Sequence, residues 1–231
     1  MTLHETSRSP LARRAVFALA AAALALTACG SGDDDAASDD STTEDTSAEN
    51  TEGDSDASEP QGIQQNSTIT VEGAPLDPYD ESVEDLSVGT AAPVVGGESF
   101  DGTAMTIGGP TENATMIVFL AHWCPHCNDE IPELIALEEA GELPEGLDVI
   151  GVSTAVDPSA DNYPPSDWID ENGWPWPTMA DDADLTAIAA MGGTSFPFTV
   201  VLDEDGNVLA RKAGTSSAEE TTAFLEDALA G

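Results

Sequence analysis

Trp123-Cys124-Pro125-His126-Cys127, with Asn128-Asp129-Glu130-Ile131-Pro132-Glu133-Leu134 directly behind it, is the stretch that decides the fold. It stands where an apolar run, Thr115 to Ala121, gives way to Ile131, Leu134, Ile135 and Leu137 at helical spacing. Two cysteines three apart at that junction fall in the first turn of a helix, within bonding reach of each other. Unpaired N–H groups and the positive end of the helix dipole favour an anion there, and a cysteine so placed can have its pKa lowered to roughly 3.5–7.5. Cys124 therefore reads as an exposed nucleophile, and Cys127 as the thiol that resolves the mixed disulfide. The other use of this spacing is a structural disulfide, whose small loop would constrain the unfolded chain only weakly.

Outward from this point, strands and helices alternate, which points to an α/β sandwich. Ala104–Ile107 reads as a short strand, and Thr115–Ala121 as a central strand buried on both faces. A helix is expected from Cys124 to about Ala140, kinked at Pro132. Leu147–Ser153 should follow as a strand parallel to the previous one. Pro165–Asn172 reads as a short helix with Trp168 and Ile169 facing inward, and Trp174-Pro175-Trp176-Pro177 as an extended lead into a strand. Asp184 is expected to cap a helix running to Met191. Val200–Leu202 and Val208–Ala210 should pair as a hairpin around Asp203–Asn207. The last helix, about Ser217 to Ala230, offers Ala223, Phe224 and Leu229 as its apolar face.

The pattern W-C-x-x-C-x-x-E-x-P-x-L, with Phe196-Pro197-Phe198-Thr199-Val200-Val201-Leu202-Asp203 further on, resembles the thioredoxin superfamily. Within it, the pattern looks like the TlpA-like branch of membrane-tethered thiol-disulfide oxidoreductases. The resemblance covers about Ser87 to Gly231. It implies a thioredoxin-like α/β fold, a central mixed sheet flanked by helices, and disulfide exchange without a cofactor.

The resemblance also implies roles for single residues. The family's active-site glutamate falls at Glu130, as proton acceptor for Cys127; helical geometry alone leaves Glu130 equally readable as a solvated carboxylate, like Asp129 and Glu133. Val118 stands where thioredoxin carries a buried aspartate. Pro197 aligns with the cis-proline whose loop packs beside the disulfide and meets substrate, and Phe196 replaces a smaller residue there as an apolar lip. Trp123 is expected at the rim of the site. His126 would present a donor or partial positive charge to the Cys124 thiolate. The Pro-His dipeptide also occurs in strongly oxidising DsbA-like proteins, whereas many TlpA-like proteins are reductants, so the direction of electron flow stays open. A potential on the oxidising side of roughly −270 mV is expected.

Metal or haem binding is not expected. His122, His126 and the two cysteines could be drawn as a cluster, yet no His or Cys follows to complete a tetrahedral site. Haem attachment needs C-x-x-C-H, and Asn128 follows Cys127.

The front of the chain reads differently. A basic segment ending in Arg13-Arg14 and an apolar run from Ala15 to Leu26 have the shape of a signal peptide, residues 1–28. Leu26-Thr27-Ala28-Cys29 resembles the lipobox of bacterial lipoproteins, which would make Cys29 the lipid-modified residue. Residues 29–85 are expected as an acidic, disordered tether, low in apolar residues, with the domain at 86–231. About 50 such residues would reach roughly 35–45 Å as a flexible coil.

Charge excludes other classes. Lys+Arg number 5 against Asp+Glu 45, a net charge of −40, and beyond Cys29 the only basic residues are Arg211 and Lys212. Such a surface repels nucleic acid, and its self-repulsion should ease as salt rises. The expected protein is a monomer, lipid-anchored at the extracytoplasmic face of the membrane. Its partners would be thiols or disulfides of other extracytoplasmic proteins and a membrane redox partner. The competing expectation is a redox-inert lipoprotein that binds a partner or a metal.

Overall fold

The structure, a computed structural model, describes residues 62–230. The signal-peptide, Cys29 and residue 29–61 expectations lie outside the described residues. The strands are β1 (Thr70–Glu72), β2 (Val94–Ser99), β3 (Ala104–Ile107), β4 (Ala114–Leu120), β5 (Leu147–Ser153), β6 (Thr178–Ala180), β7 (Phe198–Leu202) and β8 (Val208–Ala213). The helices are α1 (Pro125–Ala140), α2 (Pro165–Glu171), α3 (Thr186–Ala190) and α4 (Ala218–Ala230). All strands join one mixed sheet in the order β1-β2-β6-β5-β4-β7-β8, with β3 paired to β2. β4, β5 and β6 run parallel; β7 and β8 are antiparallel, as are the pairings of β2.

β4 organises both cores because its side chains alternate across the sheet. Met116, Val118 and Leu120 face one side, where they join Ile131 and Leu134 of α1, Trp168 of α2 and Leu225 of α4. Ile117 and Phe119 face the other, with Val95, Met179, Ile188 and Phe198. Each face thus closes under its own helices, and the β4 C-terminus delivers the chain to the start of α1.

Several expectations need correction. The segment 62–85, expected as tether, is from Gly62 onward packed on the domain: β1 pairs with β2, Leu76 is buried, and the Leu76 and Tyr79 N–H groups donate to Ala190 O at 2.9 Å and Gly192 O at 2.8 Å. Arg211 explains the hold. It is 6% exposed, pairs with Asp85 through Nε at 2.8 Å, and donates to Asp77 O at 2.8 Å and Ser87 Oγ at 2.9 Å. A buried guanidinium needs every donor met: Asp77 and Asp85 of the acidic extension supply three acceptors, and Ser87 Oγ and Met191 O supply the others. Gly192 makes room: a Cβ there would lie 2.3 Å from the guanidinium and 2.4 Å from Asp77 O.

β2 was not expected, since Gly96-Gly97 interrupts its apolar pattern. A Cβ on Gly97 would stand 2.8 Å from Ile69 and 3.0 Å from the Met179 sulfur, so the glycine marks close packing rather than a turn. Asp184 does not cap α3. Asp182 Oδ1 accepts from Thr186 N at 2.9 Å and buried Asp181 accepts from Ala187 N at 2.8 Å. On α4 the buried residues are Thr221, Leu225 and Ala228; of the expected face Phe224 is half-buried and packs against that core, while Ala223 and Leu229 are exposed. The helix docks along α1 and β8 through Leu225 and Ala228. No helix among the described residues is long and apolar enough to cross a membrane.

Candidate active site

Cys124 is the N-cap residue of α1, with extended backbone, and its carbonyl accepts from Cys127 N at 3.1 Å and Asn128 N at 3.2 Å. Both cysteines are free thiols. The Cys124 Sγ donates to Phe196 O at 3.6 Å, which ties the first sulfur to the loop before β7. The Phe196–Pro197 peptide bond is cis. Cys124 is 6% exposed, not the open nucleophile expected, because that loop covers it. Trp123 remains 39% exposed, its indole N–H on Ala155 O at 2.7 Å and its ring edge-on to Phe196 at 5.9 Å. Trp123 and Phe196 therefore frame the sulfur from two sides.

Cys127 lies fully buried, one turn inward. The Ala121 N–H donates to its Sγ at 3.4 Å. Burial nevertheless pushes its thiol pKa up strongly, with Cys124 and the charge of Glu130 adding to the rise. Such a thiol does not ionise unaided.

Glu130 sits one turn further, 4% exposed. Its Oε2 accepts from Ser216 N at 2.6 Å, at the approach to α4. Burial pushes its pKa up to about 7, against the opposing pull of the Ser216 N–H and Lys212. A carboxylate whose proton is exchangeable near neutrality thus stands behind the buried thiol. Glu133, expected to be merely solvated, accepts from Ala218 N at 2.9 Å and caps α4.

The structure does not bring every candidate together. The His126 side chain is exposed, and the His126 carbonyl accepts from Thr215 Oγ1 at 3.2 Å. His122 is fully buried as a scaffold. Asp157 N donates to its Nε2 at 3.1 Å, so Nδ1 carries the hydrogen and donates to Asp161 O at 2.8 Å. Among the described residues no group of three or more His, Cys, Asp or Glu is placed to hold a metal ion.

Asn128 escaped the sequence reading. Its Nδ2 donates to Cys124 O at 2.9 Å and its Oδ1 accepts from the Trp168 indole at 2.9 Å, locking the first turn of α1 against α2. A polar residue one position after the second cysteine, with a tryptophan on the next helix, was the available signal.

The chain is similar to several known proteins. The thiol:disulfide interchange protein HelX of Rhodobacter capsulatus is 28% identical over 116 residues, which are 50% of this chain and 61% of HelX. The chain thus spans less than two thirds of that relative's length. A solved structure described as a thiol:disulfide interchange protein DsbE from Chlorobium tepidum superposes with a TM-score of 0.51 at 19% identity, covering 63% of this chain and 97% of that one. A thioredoxin family protein from Chlorobium tepidum TLS is 26% identical with a TM-score of 0.47, covering 61% and 96%. The fold is thioredoxin-like, and the profile of the Redoxin family matches residues 87–229. Matched over more than half of its length, the chain belongs to the Redoxin family.

Proposed function

We propose that the protein is a thiol-disulfide oxidoreductase working through the Cys124-Pro125-His126-Cys127 pair. The observation that carries this reading is the serial arrangement of three groups: Cys124 at the start of α1 under the cis-peptide loop, Cys127 buried one turn behind, and Glu130 buried beyond it. In the reducing direction the Cys124 thiolate attacks a substrate disulfide. One S–S bond breaks, a mixed disulfide forms, and the departing thiolate takes a proton. Cys127 then attacks Cys124 Sγ, its proton passing to Glu130, and the second substrate sulfur leaves as a thiolate that takes a proton from solvent while Glu130 releases its own. The substrate gains two electrons and the protein holds a Cys124–Cys127 disulfide, which a dithiol partner must reduce for another turn. The same steps run backward make the protein an oxidant, and the potential selects the direction.

In this reading Trp123, Phe196 and Pro197 meet the substrate, and His126 acts on the solvent side of the site. The amino-terminal sequence supports an extracytoplasmic location with Cys29 as the lipid anchor, and the acidic residues 29–61 as the tether from which the domain reaches its partners.

Trapping tests the proposal. Cys127→Ser should accumulate a mixed disulfide with a peptide disulfide through Cys124, and Cys124→Ser should trap little. Equal trapping by both variants, or none by either, would refute it.

A further inference from the structure

Beside the cis peptide an open cleft of about 630 Å³ lies between the docked extension and the loops around β7 and β8. One wall is Tyr79, Asp80 and Glu81; the other is Thr194, Ser195 and Gly214. Through Ser195 and Gly214 it adjoins the loop that covers Cys124. Ser195 is bonded to Phe196, whose carbonyl accepts from Cys124 Sγ, and Gly214 N donates to Pro197 O at 2.9 Å.

The acidic wall is fixed, not loose. Tyr79 N donates to Gly192 O, Thr194 Oγ1 reaches Tyr79 O at 3.4 Å, the Tyr79 ring packs 5.8 Å from Phe198, and the Arg211 guanidinium lies 5.4 Å over that ring. Asp80 and Glu81 are exposed at its lip. Asp80 is held by Ser82, whose N–H and hydroxyl it accepts, and this lowers its pKa and keeps it charged. Of the two basic residues on the adjoining strand, Arg211 is consumed by Asp85 and Lys212 lies over the Phe224 ring, 5.7 Å from its centroid.

We propose that this cleft docks the polypeptide flanking the target disulfide, and that Asp80 and Glu81 select stretches with Lys or Arg beside the reactive cysteine. The inference rests on the thiol-exchange reading above and adds the substrate's charge class. In this proposal an extended substrate segment leaves Cys124 past Ser195 and runs along the cleft lined by the two carboxylates. A cationic segment gains there and an acidic one is repelled.

The test compares two peptide disulfides, one with Lys and one with Glu on both sides of the cysteine, plus neutral hydroxyethyl disulfide. Each is mixed with the reduced full chain at about 0.15 M salt, where charges more than roughly 8 Å away are largely screened. The Asp80→Asn/Glu81→Gln variant should lower the Lys-over-Glu rate ratio about tenfold, at roughly threefold per charge removed, and Glu81→Lys should lower it further. Glu138→Gln/Glu139→Gln removes the same charge about 20 Å along α1 and should leave the ratio within about twofold. Hydroxyethyl disulfide should react alike with all of them. An unchanged ratio in the Asp80/Glu81 variants, or an equal fall in the Glu138/Glu139 variant, would overturn the docking groove alone. Failure of every disulfide to react would overturn the thiol-exchange reading, and the groove with it.

Discussion

Glu130 shows how one residue's surroundings decide its chemistry. Its folded pKa of about 7 stands above an ordinary 4.5, so the folded state binds its proton more tightly than the unfolded chain does. Its contribution is then fully present below about 4.5, falls as pH rises toward about 7, and is flat above that. The size is on the order of 3 kcal/mol. Glu130→Gln keeps an acceptor for the Ser216 N–H and removes the titration. Urea midpoints from pH 5 to 8 should therefore show the variant gaining on the wild type by about that amount, while resolution by Cys127 slows about a hundredfold. A stability difference constant across that range would show that the carboxyl is not buried as described. The Cys124–Cys127 spacing was legible in the sequence, whereas Glu130 was set apart from Asp129 and Glu133 only by resemblance. The burial that separates Glu130 from Asp129 was not legible, because it depends on Ser216, 86 positions away.

At the scale of elements, the parts with strong internal periodicity matched expectation. β4 is a near-continuous apolar run, β5 is apolar at Leu147, Val149, Ile150 and Val152, α1 has its apolar spacing, and the β7–β8 hairpin brackets an acidic turn. The parts that differed are those whose placement depends on a distant partner. β2 carries two glycines because β1 and Met179 press against it. The cap of α3 moved to Asp181, which also accepts from Thr154 Oγ1 at 2.8 Å and so ties the helix to the end of β5. The extension before β2 looks like tether by composition, since its acidic residues bury little. Arg211 turns that acidity into structure: a single buried cation on β8 recruits Asp77, Asp85 and Ser87. A pattern of local hydrophobicity carries no sign of such a clamp.

Across the whole molecule, charge and sulfur chemistry are the two dominant features. A net charge of −40 with Arg211 sequestered leaves the acidic surface almost without internal neutralisation. The melting temperature of the full chain should rise between low and about molar salt as that repulsion is screened; a flat or falling profile would contradict this. Composition alone made this legible. The sheet order that sets Phe196 O over Cys124 was legible only by resemblance, since it arises from β7 pairing antiparallel to β4. The most direct test of the central claim equilibrates the full chain in glutathione buffers of graded potential. After acid quench and alkylation, the peptide carrying Cys124 and Cys127 is weighed. The account expects one two-electron transition to an internal disulfide, at a potential less negative than about −270 mV. A peptide that keeps two alkylatable thiols, or collects only glutathione adducts, at every potential would contradict it.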